Sequence, residues 1–358
     1  MILEGKNVVL GVTGGIACYK AIDLASKLVQ AGATVDVMMT EAATRFVTPL
    51  PFQTITKRPV SLDMFQLLSD TDMAHISLSA RADVMVIAPA TANTIAKIVY
   101  GMADNQVTST VLASTAPLVV APAMDADMWA NAVTHANVET LRRRGATIVG
   151  PGSGRLASGR IGAGRLVTTE EIMAAIRQTL GRGGALAGRR VIVTAGGTQE
   201  PLDPVRRLTN RSSGRMGYAL AEAARDAGAT VRLIHAPTAL PVVYGVEITA
   251  VTTAAEMQRA VLEALPGSDA LIMAAAVADF RPAETAPQKI KKGTTGEGLT
   301  LALERTPDIL ASVAEQPDGR RPGAVVGFAA ETESLLENAT AKLRAKRLDL
   351  MVANDVSA

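Results

Sequence analysis

"KNVVLGVTGGIACYKAIDLASKLVQAGATVDVMM", residues 6–39, decides the fold. A short β-branched run ends in a glycine turn, an amphipathic helical pattern follows, and a second apolar run begins at Thr34. The helix closes on Ala-Gly-Ala-Thr, where glycine supplies a left-handed cap. Residues 189–235 repeat the scheme, "RRVIVTAGG" and then "GRMGYALAEAARDAGATVRLIH", and both helices close on Ala-Gly-Ala-Thr-Val. Between the two units "RQTLGRGGALAGRR" (177–190) is rich in Gly and Arg and lacks a hydrophobic period, so it reads as a linker. Apolar runs alternate with helical patterns in both halves: "ADVMVIAPA", "APLVVAPAM" and "ATIVG", then "VEITAV", "DALIMAAA", "GAVVGFAA" and "LDLMVAND". The expected architecture is α/β, two doubly wound parallel-sheet domains at 1–176 and 191–358.

The composition bounds the rest. The 358 residues suffice for two full cores, and with 48% hydrophobic but only 3% aromatic residues those cores are built from Ala, Val, Leu, Ile and Met. Lys plus Arg (36) nearly balances Asp plus Glu (34), which leaves no electrostatic footprint for nucleic acid or an anionic membrane. One cysteine, Cys18, excludes a disulfide framework, and three histidines make a Cys/His zinc cluster improbable. The long apolar segment 81–103 carries Asp83, Pro89, Asn93 and Lys97, as a buried α/β core does and a membrane span does not. "MILEGKNVVLG" has charges inside its apolar stretch, so no signal peptide is read, and a cytoplasmic protein is expected.

Ligands of such sheets bind beyond the carboxyl ends of the strands. In the first half "GVTGGIACYK" sets Gly14 and Gly15 before a helix N-terminus that can hold a phosphate. It is not GxGxxG, and the second strand ends at Thr40 rather than at a ribose-binding acid, so a monophosphate such as that of FMN fits better than a dinucleotide. A plain tight turn explains the glycines equally well. "APATANTIAK" (88–97) places Thr91, Asn93 and Thr94 at a strand end, more hydrogen-bonding groups than one helix cap needs. "APAMDADMW" (121–129) opens from a buried strand onto Asp125 and Asp127. His75, in "DMAHISLSARAD", is by itself more readily structural, as are His135 and His235.

In the second half "TAGGTQEPLDPVRRLTNRSSGRMG" (194–217) separates strand-end glycines from a helix by a polar insert. Asn210, Ser212, Ser213 and Gly214 precede that helix, an arrangement suited to a phosphate, although a capped loop explains one of them. "AAAVADF" puts Asp279 at a strand end, where it could meet a nucleotide or its Mg²⁺. "QKIKK" (288–292) and "AKLRAKR" add Lys289, Lys291, Lys292, Lys342 and Lys346, which taken singly are solvated charges.

Together these stretches resemble the bacterial bifunctional coenzyme A biosynthesis proteins, which join a phosphopantothenoylcysteine decarboxylase to a phosphopantothenate–cysteine ligase. The likeness runs from about residue 5 to the end, through "TEAATRFVTP", "APATANTIAK", "NRSSGRMG", "AAAVADF", "KIKK", "PDIL", "GFAAET" and "ANDVS". It implies a flavodoxin-like N-terminal domain that binds FMN and forms trimers, with His75 as the active-site histidine. There the cysteinyl side of the substrate is oxidised, carbon dioxide leaves and a cysteine protonates the enethiolate. It implies a Rossmann-like, dimeric C-terminal ligase, in sum a dodecamer, in which CTP with Mg²⁺ activates 4′-phosphopantothenate as an acyl-cytidylate and L-cysteine displaces CMP. Asn210 and Lys289 match its catalytic positions; Asp279, Pro307, Asp308, Ile309, Leu310, Phe328, Lys342 and Lys346 match its nucleotide contacts.

Three departures stand against the family pattern. Asp125 replaces an asparagine, Ser158 in "RLASGRIGAGR" replaces the proton-donating cysteine of a substrate-clamp loop, and the chain stops at "ANDVSA", so a truncated or shortened ligase half is expected. An asparagine can donate to the departing carboxylate, whereas an ionised aspartate repels it. At an effective dielectric of about 20 such a contact costs roughly a thousandfold in productive binding. A buried Asp125 of raised pKa would instead donate as the neutral acid, with residual activity rising toward acid pH. The decarboxylase is thus expected to be impaired. The alternatives are a ligase whose flavin domain is an assembly scaffold, and a non-catalytic regulatory flavoprotein.

Overall fold

The computed structural model describes residues 2–65, 73–291, 299–317, 319–331 and 333–355; Lys292, Thr332, Val356 and Ser357, which belong to the motifs above, lie outside them. The chain divides into two compact units, Met1–Gly181 and Arg182–Ala358.

Unit 1 holds β1 (Asn7–Val12), β2 (Thr34–Met39), β3 (Val60–Ser61), β4 (Val84–Ala90), β5 (Leu118–Pro122) and β6 (Thr147–Ile148) in one sheet, and β7 (Gly152–Arg155) with β8 (Ile161–Arg165) in a hairpin. The sheet is parallel throughout, in the order β3-β2-β1-β4-β5-β6. Helices cover both faces of such a sheet, which is why every residue of β4, Val-Met-Val-Ile-Ala-Pro-Ala, is buried. This doubly wound order reverses between β1 and β4, whereas flavodoxin itself runs 2-1-3-4-5. The two strand ends at the reversal are tied by Thr13. Its hydroxyl donates to the Pro89 carbonyl at 2.7 Å and accepts from the Thr91 N–H at 3.0 Å.

The last helix of unit 1, Thr169–Gly181, runs into the segment that composition reads as linker. Ile172, Ala175, Ile176 and Thr179 are buried, so packing carries the helix through a sequence of weak period; the stretch between helix and next strand is 182–189.

Unit 2 repeats the order with β9 (Arg190–Ala195), β12 (Thr230–His235), β13 (Glu247–Ala250), β14 (Ala270–Met273), β17 (Ala324–Glu331) and β18 (Leu350–Asp355), arranged β13-β12-β9-β14-β17-β18 and parallel. The polar insert after β9 folds into an antiparallel pair, β10 (Gln199–Pro201) with β11 (Arg207–Thr209); a second pair, β15 (Phe280–Pro282) with β16 (Leu303–Arg305), follows β14. Gly217 lets the helix Arg215–Asp226 lie on β9, since a Cβ there would stand 2.5 Å from that of Ala195. No helix among the described residues is long and apolar enough to cross a membrane.

Candidate active sites

Beyond the carboxyl ends of β1 and β4 lies a cavity of about 1100 Å³. Gly14, Gly15, Thr40, Thr91 and Asn93 line it, as do Asp125 and Ser158. The two glycines differ in kind. A Cβ on Gly14 would sit 2.4 Å from the Cβ of Ala42 and 2.8 Å from its backbone carbon, so the turn packs only with glycine; a Cβ on Gly15 would meet nothing nearer than 3.8 Å. The helix Cys18–Gln30 that follows has Ala17 at its N-cap and no side chain capping it. In its first turn Cys18 N–H and Lys20 N–H donate to the Gly15 and Ala17 carbonyls at 3.0 and 3.1 Å, and the positive end of the helix dipole points at the cavity lined by Gly14 to Ala17. Thr40 and Thr91 cap their own helices, accepting from Ala43 N–H (3.2 Å) and Thr94 N–H (3.3 Å).

Asp125 is the N-cap of the short helix Ala126–Ala130, accepting from Asp127 N–H at 3.3 Å. The two departures meet here: the Ser158 hydroxyl donates to the Asp125 carboxylate at 2.5 Å. Arg160 stands 3.9 Å from Asp125 and bonds Asp127. Gly164 completes the docking of the β7–β8 hairpin, its carbonyl accepting from Met124 N–H at 2.9 Å. The alternative of a buried, neutral Asp125 is corrected. Its side chain is 30% exposed, and the Ser158 hydroxyl, the Asp127 N–H and Arg160 lower its pKa.

His75 does not line this cavity. It lies half-buried in the first turn of the helix Ala74–Arg81, with Nδ1 buried and unpartnered among the described residues. Four cations line it that were not read as site residues: Lys20, Arg155, Arg165 and Lys97, the last ion-paired to Asp104 at 2.5 Å. Burial, and then the charge of Arg165, lower the pKa of Lys20. The spacing Arg155, Arg160, Arg165 was visible, but which of them turn inward depends on the hairpin.

In unit 2 the expected residues meet in pairs. The Asn210 amide donates to the Val277 carbonyl at 3.1 Å, joining "NRSSG" to "AAAVADF". The exposed Asp279 offers its carbonyl to Thr306 N–H (3.0 Å), directly before Pro307. Asp308 caps the helix Ile309–Ala314, which carries Leu310, and is ion-paired to Lys346; burial pushes its pKa upward, but Lys346 and the cap N–H hold it down. Lys342 is exposed in the last turn of the helix Leu335–Ala345, Phe328 is half-buried on β17, and Lys289 is exposed after β15. Ser212 and Ser213 accept from Gly214 N–H (3.3 Å) and Arg215 N–H (3.4 Å), bonds within the turn, while the helix Arg215–Asp226 has Gly214 at its N-cap and no side chain capping it.

The profile of the Flavoprotein family matches residues 2–181, and that of the DNA/pantothenate metabolism flavoprotein C-terminal domain matches 186–358. The coenzyme A biosynthesis bifunctional protein CoaBC of Vibrio cholerae is 44% identical over 355 residues, covering 99% of this chain and 88% of the relative. The chain belongs to the CoaBC family. CoaBC of Bacillus subtilis is 45% identical over 360 residues (100% and 87% covered), and that of Mycobacterium tuberculosis 46% over 363 (98% and 86%). As a CoaBC protein the chain is a two-activity enzyme of coenzyme A biosynthesis, ligase and decarboxylase, with unit 1 its flavoprotein half.

Proposed function

We propose that unit 1 holds FMN and acts on phosphopantothenoylcysteine, and that unit 2 joins 4′-phosphopantothenate to L-cysteine using CTP. The observation that carries the reading is the convergence of Gly14, Gly15, Thr40, Thr91 and Asn93 with Asp125 and Ser158 on one cavity. The residues suit a flavin monophosphate. The volume is ample for a cofactor, the open side of Gly15 admits close approach, and the helix end without a side-chain cap would suit the phosphate. When bound, the flavin supplies the two-electron oxidation of the substrate's cysteinyl side.

The chain's own residues then hold charges and protons. Lys20, Arg155 and Arg165 offer cations to an anionic substrate. Asp125 brings a negative charge to the carboxylate position, and the Ser158 proton is committed to Asp125, so no acid faces the enethiolate at neutral pH. Decarboxylation is therefore weakened and the last, reducing step lost. His75 lies outside its own chain's cavity, so its role requires the cavity of another copy. Trimers through unit 1, dimers through unit 2 and a dodecamer overall complete this reading.

In unit 2, Asn210 and Lys289 serve the acyl-cytidylate and its capture by cysteine, while Asp279, the 307–310 segment, Phe328, Lys342 and Lys346 hold CTP. Among the described residues no group of three His, Cys, Asp or Glu side chains could cage a metal. Mg²⁺ would come with the CTP phosphates, and the exposed Asp279 is the carboxylate that could meet it there. The Asp125–Ser158 pair favours a second reading, a ligase whose flavin unit serves assembly.

Pyrophosphate and carbon dioxide, measured separately with phosphopantothenate, cysteine and Mg-CTP, decide between these. Pyrophosphate is expected from the parent and only at a small residual rate from Lys289→Gln, with slow carbon dioxide release. Equal pyrophosphate from both proteins removes the role given to Lys289, no pyrophosphate from the parent overturns the ligase assignment, and carbon dioxide release at zero leaves ligase-only activity.

A further inference from the structure

The segment that carries Lys289 is fastened by a carboxylate shut away from solvent. We propose that Asp203, with Arg206, is a positioning residue of the ligase, fixing the backbone around Ile290 so that Lys289 is presented to the nucleotide. Asp203 opens the Asp-Pro-Val-Arg turn between β10 and β11, and one carboxylate oxygen does what aspartate does in turns, accepting from Val205 N–H (2.8 Å) and Arg206 N–H (2.7 Å). Such turns sit in water, yet this side chain is 0% exposed.

The second oxygen explains why. It accepts from the Ile290 N–H at 3.1 Å and from the Arg206 guanidinium at 2.7 Å, and the same guanidinium nitrogen donates to the Ile290 carbonyl at 2.9 Å. Both backbone groups of Ile290 are thus held by side chains of a turn more than eighty residues away, as one rung of a ladder would hold them. Two more bonds lay the preceding residues alongside β10: Ala286 N–H to the Leu202 carbonyl (3.0 Å) and the Thr285 hydroxyl to the Pro201 carbonyl (3.2 Å).

The residues flanking Ile290 are Lys289 and Lys291, both exposed. A buried carboxylate is tolerated only when its hydrogen bonds are made, and here three come from its own turn and the fourth from the segment that bears those lysines. A cation on an untethered loop loses backbone freedom when it engages a phosphate; a fixed backbone has lost it beforehand.

The inference rests on the ligase reading of Lys289, and the experiment separates the two. Hydrogen–deuterium exchange over residues 285–291 of the full-length protein is compared for the parent, Asp203→Asn and Arg206→Met. Arg206→Met keeps all three backbone bonds to Asp203 and guards against a variant that fails to fold. Ligase kcat and KM for CTP are measured for each variant, with and without Lys289→Gln. Removing a charge-assisted bond predicts roughly ten- to hundredfold faster local exchange and a kcat loss of similar size, with KM changed far less. On the Lys289→Gln background no further loss is expected. Unchanged exchange at Ile290, or losses that multiply with Lys289→Gln, overturns the proposal. An inert Lys289→Gln substitution overturns the role given to Lys289 in the ligase, while the exchange data still decide the tether.

Discussion

Asp125 and Ser158 belong to different elements and share one proton, which changes what each can do. A repulsion of roughly a thousandfold assumes a bare carboxylate, but this one is partly solvated, capped and 3.9 Å from Arg160, and exposed charges are heavily screened. Asp125→Asn is therefore expected to raise carbon dioxide release by about tenfold. Asp125→Asn with Ser158→Cys is expected to yield the reduced product, 4′-phosphopantetheine. Brisk formation of that product by the parent would show the aspartate to be harmless. The pH dependence has a definite sign. A carboxyl whose pKa is lowered stays ionised between pH 7 and 5, so decarboxylation should show no acid-side rise due to Asp125. A rise present in the parent and absent in Asp125→Asn contradicts this.

At the level of elements, strands, glycine turns and helix ends were legible in the sequence because parallel strands buried on both faces read as unbroken apolar runs. Val84–Ala90 is one. The β7–β8 hairpin was not, since Gly-Ser-Gly-Arg and Ile-Gly-Ala-Gly-Arg have no alternation to read. With it went Arg155, Arg165 and the Arg160 contact, which exist only once the hairpin docks. Lys20 was hidden differently, one helical turn past Gly15 on a face whose inward direction only the sheet defines. The glycine turn offers a clean test. Gly14→Ala forces a backbone clash and should cost both fold and flavin; Gly15→Ala should leave the melting temperature nearly unchanged while flavin retention falls. Equal flavin content in the Gly15→Ala protein would deny the cofactor its approach there. In unit 2, burial raises the pKa of Asp203, but N–H bonds from Val205, Arg206 and Ile290 and the Arg206 guanidinium bring it to about 2. A depressed folded pKa stabilises above the unfolded value of about 3.9 and is lost as pH falls toward 2. Acid unfolding of unit 2 should therefore show a steep segment between pH ~4 and ~2 that is flattened in Asp203→Asn, followed by circular dichroism.

For the whole molecule, two cores in two units imply two unfolding events with separate ligands. Flavin at a hundred times its Kd stabilises by about 2.7 kcal/mol, several degrees for a unit of this size, and should move one calorimetric transition; Mg-CTP should move the other. A single transition shifted by both would mean the units do not unfold independently. Another consequence lies in Cys18. The only thiol in the sequence is fully buried, donates to the Thr13 carbonyl at 2.9 Å, and has its pKa raised by burial. The native protein is therefore silent to thiol reagents, and a cysteine placed on its surface becomes a solitary chemical address. Ser158→Cys, made to restore chemistry, would also report by its rate of labelling how often the hairpin tip is open to solvent, with and without a guest in the cavity.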